Sequence, residues 1–349
     1  MHNFILLICK IAAGSYTKDM RKAGNNNICS VAARAGVSHS TVSRVFHRDP
    51  RITWETAEKV FAAARELGYV PEKRGTPTLG VILPIPNFDS YTSMAFAAVY
   101  REIQKRRWYC ELIPSSDISM LGDRYLSGAI EILAGPNFLD EWTEHFVQPV
   151  VTFCHSDRAT NNVYSVTSDG IADMERVVSY LTRFGHEKIG LLLGHSIREE
   201  EEAENHRCSG FLNAMSRRGI LSPERYALFH NHGTLEERLD TLLKYGVTAI
   251  IVLSGEFGIS LLDIIHHRGL QVPRDLSLVA WEFPNVSEFQ NPPLTALLPD
   301  VDKFAATACD MLVDLWNRRK LSNVSPIPGI LIERQSVSAI HGAEGVGSI

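Results

Sequence analysis

Between Ile28 and Leu67 the apolar residues keep helical spacing, and two short breaks divide them into three segments. Ile28, Val31, Ala32 and Ala35 form the i, i+3, i+4, i+7 stripe of an amphipathic helix. Gly36 ends that stripe, and Gly36-Val37-Ser38 reads as a tight turn. Ser38 is then placed to cap a second helix, His39–Phe46, because its hydroxyl can accept a free N–H of the first turn. Val42, Val45 and Phe46 point inward, leaving His39, Ser40, Ser43 and Arg44 outward. After a break at Asp49-Pro50, Thr53 caps a third helix, Trp54–Leu67, expected to bury Ala57, Val60, Phe61 and Ala64 before Gly68 stops it. Two short helices joined by a Gly-containing turn and backed by a third make a helix-turn-helix.

Charge follows the same division. The chain of 349 residues has a net charge of -5, which taken whole argues against a polyanion partner. Residues 20–78, however, hold ten basic and five acidic residues, net +5, while the 271 residues after them are net -11. A small basic head on a large acidic body suits a reader of nucleic acid joined to a domain that is not one. The outward face of the second helix has matching chemistry. A guanidinium bonds bidentately to guanine in the major groove, and hydroxyls and helix N-terminal amides hold phosphates.

The run Ile28–Phe46, continued by Glu55-Thr56 and by Ala64 to Pro71, closely resembles the headpiece of the lactose-repressor (LacI/GalR) family of transcriptional regulators. The resemblance implies that His39 and Ser40 are variable base readers and that Arg44 is a further base contact. It implies that Ser38, Thr41 and Ser43 contact phosphates. Such a headpiece starts near Asn25, which favours translation from Met20. Residues 1–24 are then a tail, or a start assigned upstream of the true one. The alternative for the apolar run Phe4–Ala13 is a secretory h-region, although no Lys or Arg precedes it. It is too short to span a bilayer, which takes about 20 residues.

The chain departs from the family directly after the headpiece. Family members place a hinge helix there, and in the dimer it wedges into the minor groove. Here residues 72–78 run straight towards a strand, and Gly75 and Pro77 oppose a helix. The expectation is a linker without a hinge helix, with Lys73 and Arg74 available to phosphates.

From Leu79 onward short apolar runs alternate with amphipathic segments, which predicts parallel α/β sheets. The resemblance continues through Gly185-His186, Arg207 with Gly210-Phe211, Val272-Pro273-Arg274-Asp275 and Pro292-Pro293-Leu294-Thr295. It implies a periplasmic-binding-protein-like core at 79–349, two parallel-sheet lobes closing on a ligand. The first lobe is expected at 79–164 plus 299–322 and the second at 165–298 plus 323–340, behind a headpiece at 25–71. Ligand groups collect at the carboxyl ends of strands. Carried over position by position, Arg207 matches the family's ligand-binding Arg and Glu282 the first acid after a core strand. Asp89, Ser90 and Tyr91 lie on the first-strand loop. Cys154 and Ser254 stand where the family has an Asp and an Asn, so the pocket is altered. Trp281 and Tyr91 offer aromatic faces to a sugar.

The remaining features are negative. Six dispersed cysteines include no CxxC pair, and the 13 histidines show no metal-ligand spacing. Neither a Gly-x-Ser-x-Gly elbow nor a phosphate-binding glycine loop is present, so no enzyme, cofactor or metal is expected. The reading is a cytoplasmic, homodimeric DNA-binding regulator, in the manner of a repressor. Its partners are a pseudopalindromic double-stranded operator and a small effector, a sugar or sugar derivative, with no membrane. An extracytoplasmic solute-binding protein of the same core fold is the alternative.

Overall fold

The computed structural model describes residues 27–47, 49, 51–69, 75–85, 90–116, 126–133, 136–153, 162–193, 202–253, 255–281, 286–319, 321 and 325–340. The chain divides into two units, Met1–Tyr69 and Val70–Ile349.

The first unit has three helices, α1 (Ile28–Ala35), α2 (His39–Phe46) and α3 (Trp54–Leu67). Each begins at a side-chain cap. Asn27 Oδ1 accepts from the N–H of Ser30 (3.0 Å), Ser38 Oγ from Thr41 (3.1 Å) and Thr53 Oγ1 from Thr56 (3.4 Å). Gly36 and Gly68 close α1 and α3 at φ of 66° and 60°, a left-handed conformation that a side chain would strain. Val31, Val42, Val45, Phe46, Val60, Ala63, Ala64 and Tyr69 make the core, with the Phe46 ring 5.5 Å from Tyr69 and 6.0 Å from Phe61. Contrary to the sequence-based expectation, Ala57 and Phe61 are only half-buried, and Ala63 is buried in their place. The small α1–α2 pair covers too little of α3 to enclose both edges of its stripe.

In the second unit a five-stranded sheet combines β1 (Thr78–Leu83), β2 (Tyr109–Pro114), β3 (Gly128–Ile132), β4 (Val150–Phe153) and β5 (Val163–Val166), in the order β2-β1-β3-β4-β5. All its pairs are parallel. Helices α4 (Ser90–Lys105) and α5 (Pro136–His145) follow β1 and β3. Leu79, Val81 and Leu83 belong to the core on one face, and Ile82 joins Trp142 and Phe138 of α5 on the other. Burial on both faces explains why these strands read as unbroken apolar runs. The expected lobe boundary at 164 falls inside β5, whose last residue Val166 is paired with Phe153.

A second sheet combines β6 (Ile189–Leu192), β7 (Ala227–Leu228), β8 (Ala249–Val252), β9 (Ser277–Trp281), β10 (Thr295–Leu298) and β11 (Ile330–Ile332), in the order β11-β10-β9-β8-β6-β7. Only the β10–β11 pair is antiparallel. Around it stand α6 (Gly170–Arg183), α7 (Glu202–Arg217), α8 (Leu235–Lys244) and α9 (Gly255–His267). The last helix, α10 (Val301–Trp316), follows β10 but packs on the first sheet. Phe304 meets Phe153 edge-on at 5.5 Å, and the Trp316 indole N–H donates to the carbonyl of Ser127 (2.8 Å). Ser168 and Ile327 form a parallel bridge where the chain passes from one sheet to the other.

Candidate DNA interface and effector crevice

The outward face of α2 is held open by its own cap. Ser38 Oγ lies 2.8 Å from Ser40 Oγ and 2.8 Å from Thr41 Oγ1, gathering three hydroxyls at the helix N-terminus. There the unpaired N–H groups and the positive end of the helix dipole favour an anion. His39 and Ser40 are exposed, Thr41 and Ser43 half-buried, and Arg44 exposed. All six expected contact residues of α2 and its cap therefore share one short segment. Lys73 and Arg74 lie outside the described residues.

Past the end of α2, Asp49 takes a forked pair of hydrogen bonds from Arg51, Nε at 2.8 Å and Nη2 at 2.5 Å. Arg44 Nε is 3.9 Å from the same carboxylate. The hydrogen bonds from Arg51 are the largest cause holding the Asp49 carboxyl well below the usual range. Sequence reasoning treated Asp49-Pro50 as a break only and missed this cluster. An acid two residues from an Arg, just after a recognition helix, was the available signal.

In the second sheet the connection that follows β6 runs to β7 on one side, whereas the connection that follows its other neighbour, β8, runs to β9 on the opposite side. Such a switch point opens a crevice at the carboxyl ends of the strands. Arg207 on α7 enters this region and stacks on Trp281, the last residue of β9, with its guanidinium carbon 4.4 Å from the ring centre. Trp281 is 8% exposed. Arg207 Nε is buried with no hydrogen-bond partner among the described residues. The close approach depends on Gly170, where a Cβ would stand 3.1 Å from Arg207 Cγ. The positive charge of Arg207 also reaches Asp173, whose carboxyl burial pushes upward although Gly329 N–H, Arg176 and Arg207 oppose it. That carboxylate accepts the N–H of Gly329 (2.8 Å), two residues past the bridge at Ile327.

A second guanidinium stands near the same edge. Arg238 of α8 is 2% exposed, donates to the carbonyl of Leu193 (2.9 Å), and lies 6.0 Å from the Phe257 ring. Burial pushes its pKa down. Sequence reasoning overlooked it, though it interrupts the apolar stripe Leu235, Leu239 and Leu242.

The structure thus brings Arg207 and Trp281 together. Tyr91 is half-buried on α4 and packs against the core of the first sheet. Asp89, Cys154, Ser254 and Glu282 lie outside the described residues, as does the side chain of Ser90. So does the acidic run Glu199–Glu201.

Two family models match the chain. Residues 27–72 match the bacterial regulatory proteins of the lacI family, and residues 178–337 match the periplasmic binding protein-like domain. The chain joins a lacI-family helix-turn-helix domain to a periplasmic-binding-like domain. Among relatives, catabolite control protein A of Priestia megaterium is 28% identical over 338 residues, covering 89% of this chain and 99% of that protein. The transcriptional repressor CytR of Escherichia coli K12 is 24% identical, covering 81% and 88%. In three dimensions the chain matches the lac repressor dimer bound to operator and an anti-inducer, with a TM-score of 0.63 and 22% identity over 90% of this chain and 99% of that one. The regulator CelR in complex with cellobiose matches equally, at 0.63 and 22%, over 89% and 99%. The fold is that of the family, a helix-turn-helix unit with a two-sheet periplasmic-binding-like core. The first unit is the DNA-binding module of a transcriptional regulator. Among the described residues no helix is long and apolar enough to cross a membrane.

Proposed function

We propose that this protein is a sequence-specific transcriptional regulator, in the manner of a repressor, that binds a pseudopalindromic double-stranded operator as a homodimer. A sugar or sugar derivative held between the two lobes sets its operator affinity. One helix-turn-helix reads a half-site, and a two-fold dimer on a two-fold site doubles the contact. Ser38, Thr41 and Ser43 hold phosphates, His39, Ser40 and Arg44 read bases, and Lys73 and Arg74 add phosphate contacts from the linker. Asp89, Ser90, Tyr91 and Cys154 face the ligand from the first lobe, and Arg207, Ser254, Trp281 and Glu282 from the second. The protein works in the cytoplasm and carries out no chemistry on its ligand.

Ligand closure of the lobes changes the spacing of the two headpieces, and only a ligand that binds one state better than the other shifts the equilibrium. The sequence at 72–78 opposes a wedge helix, so the coupling in this reading runs through headpiece orientation. The observation that carries the reading is the capped α2, whose polar face of hydroxyls, His39 and Arg44 is turned to solvent over a complete apolar core.

The test is selection of bound duplexes from random double-stranded DNA, followed by gel shifts against a panel of sugars and sugar acids. A preferred duplex released by one of them is expected. A chain that binds every duplex alike would overturn the regulator reading, and a preferred duplex insensitive to the whole panel would overturn the carbohydrate effector.

A further inference from the structure

Asp49 stands at the unfavourable end of a helix. α2 finishes at Phe46, and the N–H of Asp49 bonds back to the carbonyl of Arg44 (3.0 Å). A carboxylate there meets the negative end of the helix dipole. Two arginines compensate it. Arg51 donates through Nε and Nη2 to the two carboxylate oxygens, and its own backbone N–H bonds to Oδ1 (3.1 Å). Arg44 Nε lies 3.9 Å from the same Oδ2 that Arg51 Nη2 contacts. The Asp49 side chain is 14% exposed, whereas those of Arg44 and Arg51 are 54% and 74% exposed. A covered carboxylate therefore carries two open guanidinium groups side by side.

Stability is a weak reason for such a cluster, since exposed ion pairs contribute little. Orientation is a stronger one. At 3.9 Å the link to Arg44 restrains that side chain without closing a hydrogen bond, so Arg44 remains available to a base edge. Arg51 stays fixed by its fork when Arg44 turns away. Because both cations reach one oxygen, Arg51 lies on the same side of α2 as Arg44.

We infer that Asp49 is a positioning residue for DNA recognition and that Arg51, which it holds beside Arg44, is a further backbone-phosphate contact. The inference rests on the DNA-binding reading above. Asp49 also sharpens selectivity, because its negative charge repels phosphates wherever Arg44 has found no base partner. Any duplex then meets Arg51's attraction, and only the correct one adds Arg44's bidentate contact.

The experiment uses the full chain and the duplex recovered by selection, with a scrambled duplex of equal length as competitor, at a series of salt concentrations. Asp49→Asn is expected to tighten binding to the scrambled duplex and to lower discrimination by about tenfold, the order of one lost base contact. Arg51→Ala is expected to weaken both duplexes alike and to reduce the salt slope by about one. Arg51→Lys keeps the charge that meets the phosphate, and is expected to restore the slope. Helical circular dichroism of each variant identifies a misfolded headpiece, and the Arg51 pair decides the matter if Asp49→Asn fails to fold. Unchanged discrimination in Asp49→Asn, or an unchanged salt slope in Arg51→Ala, overturns the inference while leaving the DNA-binding reading intact. A wild-type chain without a preferred duplex overturns both.

Discussion

The guanidinium of Arg207 stacks 4.4 Å from the centre of the Trp281 ring, joining the helix that follows β6 to the end of a strand two places away in the sheet. The contact makes one surface at the switch point from residues 74 positions apart. Its cation is already placed, and its Nε is buried without a partner among the described residues. A ligand acceptor that reached this group would relieve an unmet donor.

Arg207→Ala is therefore expected to abolish the response to effector while leaving operator affinity unchanged. Trp281→Leu keeps the apolar bulk and removes the ring, so Arg207 loses a cation–π contact of about 0.5–2 kcal/mol that holds it in place, and the effector should bind more weakly. Gel shifts titrated with the effector measure both. Loss of operator binding in Arg207→Ala would make the residue a structural one.

Arg44→Ala is expected to cost about 1–3 kcal/mol of operator affinity and to relax preference at one base pair. Lys73→Ala, by contrast, should lower the salt slope by about one without altering preference. Binding to a set of single-base operator variants separates the two. An operator affinity untouched by Arg44→Ala would mean that α2 is not the reading helix.

The stability of the second unit should depend on His186. Its Nδ1 meets Thr248 Oγ1 at 2.9 Å and its Nε2 meets the carbonyl of Ser338 at 3.1 Å, pinning the C-terminal segment to the base of the second sheet. Burial lowers its pKa below the ordinary 6.5, outweighing the bond to Ser338. The unfolded chain thus takes up the proton first as pH falls, and stability present above about 6.5 is lost progressively down to the folded value. Urea midpoints between pH 8 and pH 5 should fall, and the fall should be smaller in His186→Gln.

Gly210→Ala should destabilise the second unit by about 1–3 kcal/mol, the usual cost of overpacking. A Cβ there would lie 2.8 Å from the Cα of Ile171, which as backbone cannot turn aside. The α6–α7 contact would open, and Arg207, one turn earlier on α7, would move with it. Thermal melts and effector titration check the two consequences. A variant as stable as wild type would show that the two helices separate freely.

The headpiece was legible residue by residue because its signals are local. Ser38 and Thr53 cap, Gly36 and Gly68 stop, and each acts within one turn of where it stands in the chain. Strand alternation in the body was equally plain wherever both faces are buried, as in β1 and β8. What escaped were elements that depend on distant partners. The three-residue β11 is a strand only because Ala296, Leu297 and Leu298 pair with it, and β5 only because β4 does. α5 did carry a readable stripe, Phe138, Leu139 and Trp142, behind a proline suited to a first turn. At the site, Arg207 and Trp281 were named from the resemblance, but their stacking was beyond it. The Asp49–Arg51 fork and the buried Arg238 left only slight signals, an acid two residues before an Arg and a cation within an apolar stripe.

The return of α10 to the first sheet, between β10 and β11, sets an order of assembly during synthesis. The headpiece is complete once the chain has passed Tyr69, because it forms a compact unit up to that residue. The first sheet, by contrast, has all five strands by Val166 yet leaves the face of Val81, Ile130 and Phe153 covered only in part, by Ala95, Val99 and Ile103 of α4, until Phe304 and Leu312 have been made. A chain cut short at Pro299 would keep its DNA reader and lose closure of both lobes. Truncation before α10 should therefore yield an aggregating body on a folded headpiece, and the sensor does not exist until α10 and β11 have left the ribosome.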